Sequence, residues 1–557
     1  MKQPRQLPGL ACDTCRARKL RCDRREPKCT TCIDTGMACT ITTIRSPRGP
    51  QRGHLKALQA RVAALEISLT QKHARTSSID SFLELTDDQI LGGISREQSP
   101  TDISKILADI ETQDTYMPLD AFEPYPSSSE ICLSSLMRED LDQLYFDRVH
   151  VFAPILQQRR YSAWTRAKDK SRSHTCLQHA MWTLGASLST QFQHLEKSLY
   201  SDTKKMLEEL ENKCTDIRSV EIEQVQAWIL IAIYEFLRFN YCHGWMSAGR
   251  SFRLVQLMRL YKIDTPNSIH SHGDWIKTEE MRRTFWMAYS LDRFASITND
   301  WPLTLSEQAI MTRLPAPETN FQSGQPILMC FLSEAVGTNH QTLSSSWAEC
   351  IVVNTIFGRA LSHRNQAVVE DICATPSSDF WDRHQCVNAI LVQTMQTMVA
   401  KYPATSQYVD PMLLFTQMLA KTTVLYLYKT LENAMFETEE ELMIRMEYKS
   451  LALRAAQELV DLTKTLAQLS FFKVHPFTPV PLYLCARFFK THKNPDECFN
   501  MQLQEIILVL QGLKSVNHLA ESFLQLLDLD NEINDDHQQQ EFSLNGIDIS
   551  NSLVCSG

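Results

Sequence analysis

Six cysteines crowd residues 11–40: Cys12, Cys15, Cys22, Cys29, Cys32 and Cys39. Their spacing, Cys-x2-Cys-x6-Cys-x6-Cys-x2-Cys-x6-Cys, is a Cys-x2-Cys-x6-Cys unit used twice. Thiols this dense can form disulfides, run a redox couple or bind metal. Each Cys-x2-Cys places two sulfurs on one side of a short helical turn, and the third sulfur returns from an extended stretch. Zinc takes four ligands in a tetrahedron, and thiolates suit it. One zinc ion would leave two thiolates over. Two need eight bonds from six sulfurs, which works if two sulfurs bridge. Such a cluster has a formal charge of about −2, which the interleaved arginines and lysines offset while they help keep the thiols deprotonated.

The rest of the chain favours metal over disulfides. The opening "MKQPRQLPGL" has no apolar core of a signal peptide. The longest strongly apolar run, "AWILIAIY" (227–234), is far short of the ~20 residues that a bilayer requires. The expectation is a chain with no membrane partner in a reducing compartment, where disulfides are rare and clustered cysteines hold metal. A redox pair would sit beside a βαβ pattern, and none is visible. The other cysteines, such as Cys132, Cys176, Cys242 and Cys350, are scattered and read as small buried hydrophobes.

Charge divides the chain. The 557 residues carry a net −9, but residues 1–56 hold thirteen Lys/Arg against four acids, +9, which leaves −18 for the remainder. This asymmetry points to a nucleic-acid-binding head on an acidic body of more than one domain.

The cysteine spacing, "CRARKLRCD" after the first pair, and Pro27 in the middle loop resemble the fungal binuclear zinc-cluster transcription factors. The resemblance implies two Zn2+ ions, with Cys12 and Cys29 as the bridging sulfurs and Pro27 turning the chain between the halves. It implies a first helix that enters the major groove of double-stranded DNA and reads a CGG-type triplet. The base-reading position, four residues after the second cysteine, is Lys19, with Arg18 beside it. A lysine can donate to guanine O6 and N7. Arg16, Arg21, Arg24, Arg25 and Lys28 would grip phosphates, which sets position and salt dependence more than sequence choice. A regulator of RNA polymerase II genes in the nucleus follows from the same resemblance, and the basic residues can also serve nuclear import.

Around this head the chain reads as a series of segments. The binuclear zinc-cluster domain spans 8–43. A basic linker, 44–54, carries Arg45, Arg48 and Arg52 and can track the phosphate backbone. In 55–72, Leu55, Leu58, Val62, Leu65 and Leu69 step by three and four, the a/d stripe of a short parallel coiled coil that would pair two chains into a homodimer. In such a dimer the linker would set half-site spacing. The alternative is an amphipathic helix packed on its own body. Residues 73–135 are rich in Ser, Thr, Asp and Gln and read as a flexible tether.

A mostly α fold is expected for 136–515, a large all-α regulatory domain. "SVEIEQVQAWILIAIYEFLRFN" is apolar on nearly all sides, hence a buried helix. "HGWMSAGRSFRLVQLMRLYKI" is amphipathic, and 443–469 presents Leu451, Leu453, Ala456, Leu459 and Leu462 on one face. "YFDRVHVFAPIL" (145–156), the 245–260 helix, and "RRTFWMAYSLDR" (282–293) with "LP" at 314–315 resemble the middle regulatory domain of many fungal regulators. By that resemblance the domain restrains or transmits activity and can sense metabolites. Arg282, Arg283, Asp292 and Arg293 lie at helical spacing around Phe285, Trp286 and Tyr289. They fit either a small-molecule effector pocket or an internal ion-pair network; the network is preferred because a buried pair needs no ligand. His270 and His272 share a loop without a third metal ligand.

Beyond Lys514 neither Lys nor Arg occurs, and 516–557 interleaves Phe523, Leu526, Leu527 and Leu529 with Asp528, Asp530, Glu532, Asp535 and Asp536. Such a tail can dock on a coactivator as an induced helix; equally, it can open with the domain's last packed helix. No Walker loop, Rossmann fingerprint, His-Glu-x-x-His or Gly-x-Ser-x-Gly is present, so an enzyme is not expected. The reading is a DNA-binding transcription regulator and pathway-specific activator, with a repressor or scaffold, and then an enzyme with a DNA-tethering head, as alternatives. "RSPRGPQRGHLKAL" resembles the linker of regulators of fungal biosynthetic gene clusters.

Overall fold

A computed structural model describes residues 11–40, except Arg24 and Glu26, and 133–528, except 168, 214–215, 217–218, 267–273, 338–344, 374–378, 403–409, 433–438 and 493–496. The linker with Arg48 and Arg52, the expected coiled coil at Leu55–Leu69, the tether up to 132, His270 and His272, and 529–557 lie outside the described residues. The chain divides into two units, Met1–Asp102 and Ile103–Gly557.

The first unit contains two one-turn helices, α1 (Asp13–Ala17) and α2 (Thr30–Asp34). They surround five buried cysteines, with Cys39 at the edge. A core this small cannot be held by apolar burial alone; metal is the usual remedy at this size.

The second unit is helical, and among the described residues no β-strand occurs, only an isolated bridge between Arg313 and Phe331. It opens with α3 (Ser135–Leu144), where the Ser134 hydroxyl accepts from the Met137 amide, an N-cap that sets the start. A π-turn, Tyr145–Val149, continues it. Then come α4 (Gln158–Thr165), α5 (Arg172–Ser187), α6 (Glu196–Asn212), α7 (Ile222–Arg238) and α8 (Tyr241–Leu257). Every residue of α7 from Ile222 to Leu237 is buried, as its all-round apolar sequence requires. α7 lies between α5 and α8. Gly244 allows the α8 contact: a Cβ there would sit 2.6 Å from the Phe236 ring. The amphipathic stretch expected to be helical to Ile263 leaves the helix at Leu257, because Arg259 takes a left-handed φ of 55° and a 3-10 turn follows.

α9 (Trp275–Ile297) packs on α8, then α10 (Glu318–Ser323) and α11 (Leu332–Val336) lead to α12 (Ser346–Ile372). α13 (Phe380–Lys401) and α14 (Pro411–Glu432) both pack on α12, and α15 (Glu439–Leu466) packs on α14. On α15 the buried stripe is Ala452, Ala456, Leu459 and Thr463, so Leu451, Leu453 and Leu462 flank the seam as half-buried neighbours. α16 (Pro479–Thr491), α17 (Glu497–Leu513) and α18 (518–528) close the domain. Phe523 and Leu527 of α18 are buried, and Phe523 stacks on Tyr483 at 4.6 Å. The packed-helix reading of the tail therefore describes 518–528. The scattered cysteines divide: Cys176, Cys330, Cys350 and Cys485 are buried, whereas Cys242, Cys373 and Cys386 are exposed. No helix among the described residues is long and apolar enough to cross a membrane.

Candidate metal centre and nucleic-acid interface

The twofold sequence repeat is a twofold repeat of structure. Residues seventeen apart play the same part, and the two halves hold each other. The Thr14 hydroxyl donates to the Ala38 carbonyl at 2.6 Å, and its counterpart Thr31 donates to the Arg21 carbonyl at 2.9 Å. The Asp13 amide donates to the Thr40 carbonyl at 2.9 Å; the matching Thr30 amide donates to the Asp23 carboxylate at 2.9 Å. Each helix ends in one left-handed residue, Lys19 at φ 55° and Gly36 at φ 65°. The next amide then returns to the second cysteine of the pair: Leu20 to the Cys15 carbonyl at 2.9 Å, Met37 to the Cys32 carbonyl at 3.0 Å. That six-to-one bond is a Schellman cap.

These contacts converge the sulfurs. Cys12 Sγ lies 3.8 Å from Cys29 Sγ and 3.7 Å from Cys32 Sγ; Cys15 Sγ lies 3.6 Å from Cys29 Sγ and 3.9 Å from Cys32 Sγ. Disulfide sulfurs would be ~2.05 Å apart. A tetrahedron with Zn–S bonds of ~2.3 Å has edges of about 3.8 Å. The donor set therefore fits zinc. The Cys12 sulfur is also within bonding reach of Cys15 and Cys39, and the Cys29 sulfur within reach of Cys22. Four sulfurs, Cys12, Cys15, Cys29 and Cys32, thus meet across the two halves, with Cys22 and Cys39 beside them.

The electrostatics also call for a cation. The Cys15 amide, 3.4 Å from Cys12 Sγ, draws the Cys12 thiol down to about 6. Burial pushes Cys15 up to about 12 and raises Cys29 and Cys32. Buried thiols cannot all ionise without a positive ion among them.

The halves differ in charge. Arg16, Arg18, Lys19 and Arg21 of the first correspond to Ile33, Thr35, Gly36 and Ala38 of the second. Arg18, Lys19, Arg21, Arg25 and Lys28 are exposed, and Arg25 lies 3.6 Å from Asp23. Arg16 falls on α1 and Arg24 outside the described residues. Sequence reasoning missed Asp23 as the cap of α2, and missed the Thr14 and Thr31 cross-ties. The repeat itself was the available signal, because both threonines follow a first cysteine by two.

In the body, the arginines of α9 are held by protein groups, although the buried Arg293 Nε has no hydrogen-bond partner. Arg282 pairs with Asp264 at 2.6 Å and Glu279 at 3.2 Å. Arg283 pairs with Glu279 at 3.1 Å and Glu318 at 2.6 Å, and donates to the Pro154 and Ala316 carbonyls. Asp292 accepts from the Thr304 and Leu305 amides, with Arg293 Nη1 3.5 Å away. This is the ion-pair network, and its partners come from the connections around α9 as well as from the helix itself.

Residues 10–49 match the fungal Zn(2)-Cys(6) binuclear cluster domain, and residues 143–362 match the fungal specific transcription factor domain. The chain is 43% identical over 550 residues to the pigment biosynthesis transcriptional activator pigB of Monascus ruber, covering 94% of this chain and 95% of that one. It is 41% identical over 542 residues to the citrinin biosynthesis transcriptional activator ctnR of Monascus purpureus, covering 94% and 93%. It is 42% identical over 481 residues to the azaphilone cluster-specific transcription factor azaR of Aspergillus niger, covering 85% and 97%. With its six converging cysteines and all-α body, the chain belongs to the fungal binuclear zinc-cluster transcription factors, and its head is a domain that holds two Zn2+ ions.

Proposed function

We propose that the chain is a nuclear, pathway-specific activator of a biosynthetic gene cluster that binds CGG-type half-sites in double-stranded DNA. Cys12 and Cys29 would bridge two zinc ions, and Cys15, Cys22, Cys32 and Cys39 would complete their coordination. The metals cross-link a loop-rich fold and do no chemistry on a substrate. Their role is to fix α1 so that Lys19 and Arg18 meet base edges, while Arg16, Arg21, Arg24, Arg25, Lys28, Arg48 and Arg52 meet phosphates. The observation that carries this reading is the unequal duplication: two halves with matching cross-ties and caps, of which only the first carries cations at the matched positions. The names of the pigment, citrinin and azaphilone regulators support the pathway class.

Pairing through Leu55, Leu58, Val62, Leu65 and Leu69 is part of the proposal. Fluorescence anisotropy with duplexes carrying one or two CGG triplets tests both points. The wild-type chain should prefer the paired site, and Leu58→Asp should lose that preference while keeping single-site affinity. Equal losses on both duplexes would argue for a monomer, and binding indifferent to CGG would remove the proposed readout.

One observation bears on activation against repression. Phe523 and Leu527 are in the core, so they are not available to a coactivator. An activating segment then falls to 529–557, and a reporter fusion of those residues that stays silent would favour the repressor or scaffold reading.

A further inference from the structure

His363 of α12 and His384 of α13 meet in the core, 3% and 0% exposed, with His363 Nε2 3.2 Å from His384 Nδ1. The other nitrogen of each ring, His363 Nδ1 and His384 Nε2, is buried and has no hydrogen-bond partner. Two neutral imidazoles carry two N–H groups, and the bond between them uses one. Whichever ring donates, one N–H and one lone pair stay buried and unanswered, an arrangement that burial penalises. Two leucines would fill the seam without that penalty, so apolar packing alone does not explain the pair. Aromatic groups enclose it: Phe380 lies 5.0 Å from His363, and the Tyr448 ring of α15 meets His384 edge-on at 4.7 Å. Only His384, Val387, Leu391, Thr394 and Met398 of α13 are buried, five of its 22 residues, so a titrating ring heads the single stripe that seats this helix.

The charges on the neighbouring helices are committed elsewhere. On α12, Arg359 pairs with Glu307, Arg364 with Asp300, and Glu370 with Arg383 of α13. On α14, Lys429 pairs with Asp300 and Glu432 with His492. On α15, Glu441 accepts from the Trp381 indole, Glu447 acts on Tyr448, and Arg445 acts on Tyr428 of α14. Of the charges around the pair, Arg383 opposes and Glu370 favours a proton on His363, and only His363 acts on His384, in opposition. Burial, and then Arg383, takes His363 down to about 4; burial, and then His363, takes His384 down to about 3. The packed rings thus stay neutral at a pH where released ones would charge.

We propose that the His363–His384 pair is an acid-sensitive latch: with both rings neutral it holds the first half of α13 against α12 and Tyr448, and proton uptake by the two histidines releases that half. One added proton leaves a buried charge and two N–H groups without acceptors. A second makes both facing nitrogens donors, and the bond between the rings is lost. Released rings titrate at ~6.5, so the seat of α13 is complete above that value and weakens as pH falls below it, the opening equilibrium rising by up to about tenfold per histidine per pH unit. The latch lies within the helical body and does not depend on the DNA-binding reading.

The test is hydrogen exchange of the full chain, followed by mass spectrometry from pH 8 to 5.5, with rates corrected for their intrinsic pH dependence. α7, which contains no histidine, is the internal reference. Peptides covering 380–391 should lose protection relative to α7, by about 100-fold at pH 5.5, about tenfold for each histidine. The double variant His363→Leu with His384→Leu removes both titrating rings and keeps an apolar seam, and it should flatten this dependence. If the double variant does not fold, His363→Leu alone, which leaves one titrating ring, should halve the logarithmic slope. Protection of 380–391 that stays constant relative to α7 across the range, or a pH-dependent loss that persists at full slope in either variant, would overturn the latch.

Discussion

Lys19 and Gly36 occupy one position in the two halves of the cluster: each is left-handed, each ends a one-turn helix, and each is followed by an amide bonded to the second cysteine of its pair. Only Gly36 has the residue type that this backbone favours. A non-glycine residue there carries about 1–2 kcal/mol of strain. Lys19→Gly should therefore leave zinc content and folding intact or slightly improved, yet cost ~1–3 kcal/mol of discrimination for the cognate triplet. Gly36→Lys should weaken the head by a similar strain and gain no DNA affinity. Native mass spectrometry and anisotropy titrations on both variants separate the two effects. A Lys19→Gly chain with unchanged base preference would assign the reading to another residue.

Cys29 neighbours sulfurs from both halves, so its loss should be felt at both metals. Cys29→Ala is expected to bind fewer than two zinc ions and to lose DNA binding, because metal binding and folding are coupled in so small a core. Cys242→Ala, at an exposed site in the body, is the matched control and should keep both ions. Zinc release assayed with a chromogenic chelator gives the count. Full occupancy in Cys29→Ala would mean that this sulfur is not shared.

Glu279 is almost wholly buried and accepts from Arg282, Arg283 and the Ala316 amide. Glu279→Ala leaves Arg283 buried beside a missing charge. The expected cost is about 3–5 kcal/mol, the range for breaking a buried pair from one side. Thermal unfolding should show it as a marked fall in the midpoint of the body, with zinc content unaltered. Glu279→Gln, which keeps the shape, should recover part of the loss.

How much of this was legible in the sequence depends on what fixes each feature. The six cysteines were legible because a two-metal core constrains both residue type and spacing. α7 was legible because burial on every side leaves no polar position in "AWILIAIY". The caps were not: Asp23 reaches Thr30 across a loop, and Lys19 adopts a conformation that no local residue type demands. The partners of Arg282 and Arg283 were hidden for another reason. Asp264 comes from the turn before α9 and Glu318 from the start of α10, and only the packed chain brings them to it. The seam of α15 was displaced by about one position because small alanines, not leucines, make the close contact.

His492 joins the ends of α14 and α16 through Glu432. Burial disfavours its charge, but the Glu432 carboxylate and the Phe488 carbonyl outweigh burial and the repulsion of Lys449, so its pKa is raised. A raised histidine contributes stability that is complete below its unfolded value of ~6.5 and lost as pH rises through the folded value. His492→Gln should therefore be less stable than wild type at pH 6 and close to it at pH 9. Melting curves across that range check the sign, and a gap that widens with pH would show that the pair does not form.

Phe523 decides where the body ends. Its ring stacks on Tyr483, and Leu519, Ala520 and Leu527 share the buried face at spacings of three and four. The acidic residues beside them gave this segment the look of a tail, although the apolar period was present. Phe523→Ala should cost ~3–5 kcal/mol, as for other buried phenylalanines. Truncation after Leu513 should destabilise the domain by at least as much, because it uncovers Tyr483, whereas truncation after Asp528 should leave the melting temperature of the body unchanged. Equal stability of the two truncated chains would mean that 518–528 does not belong to the packed domain.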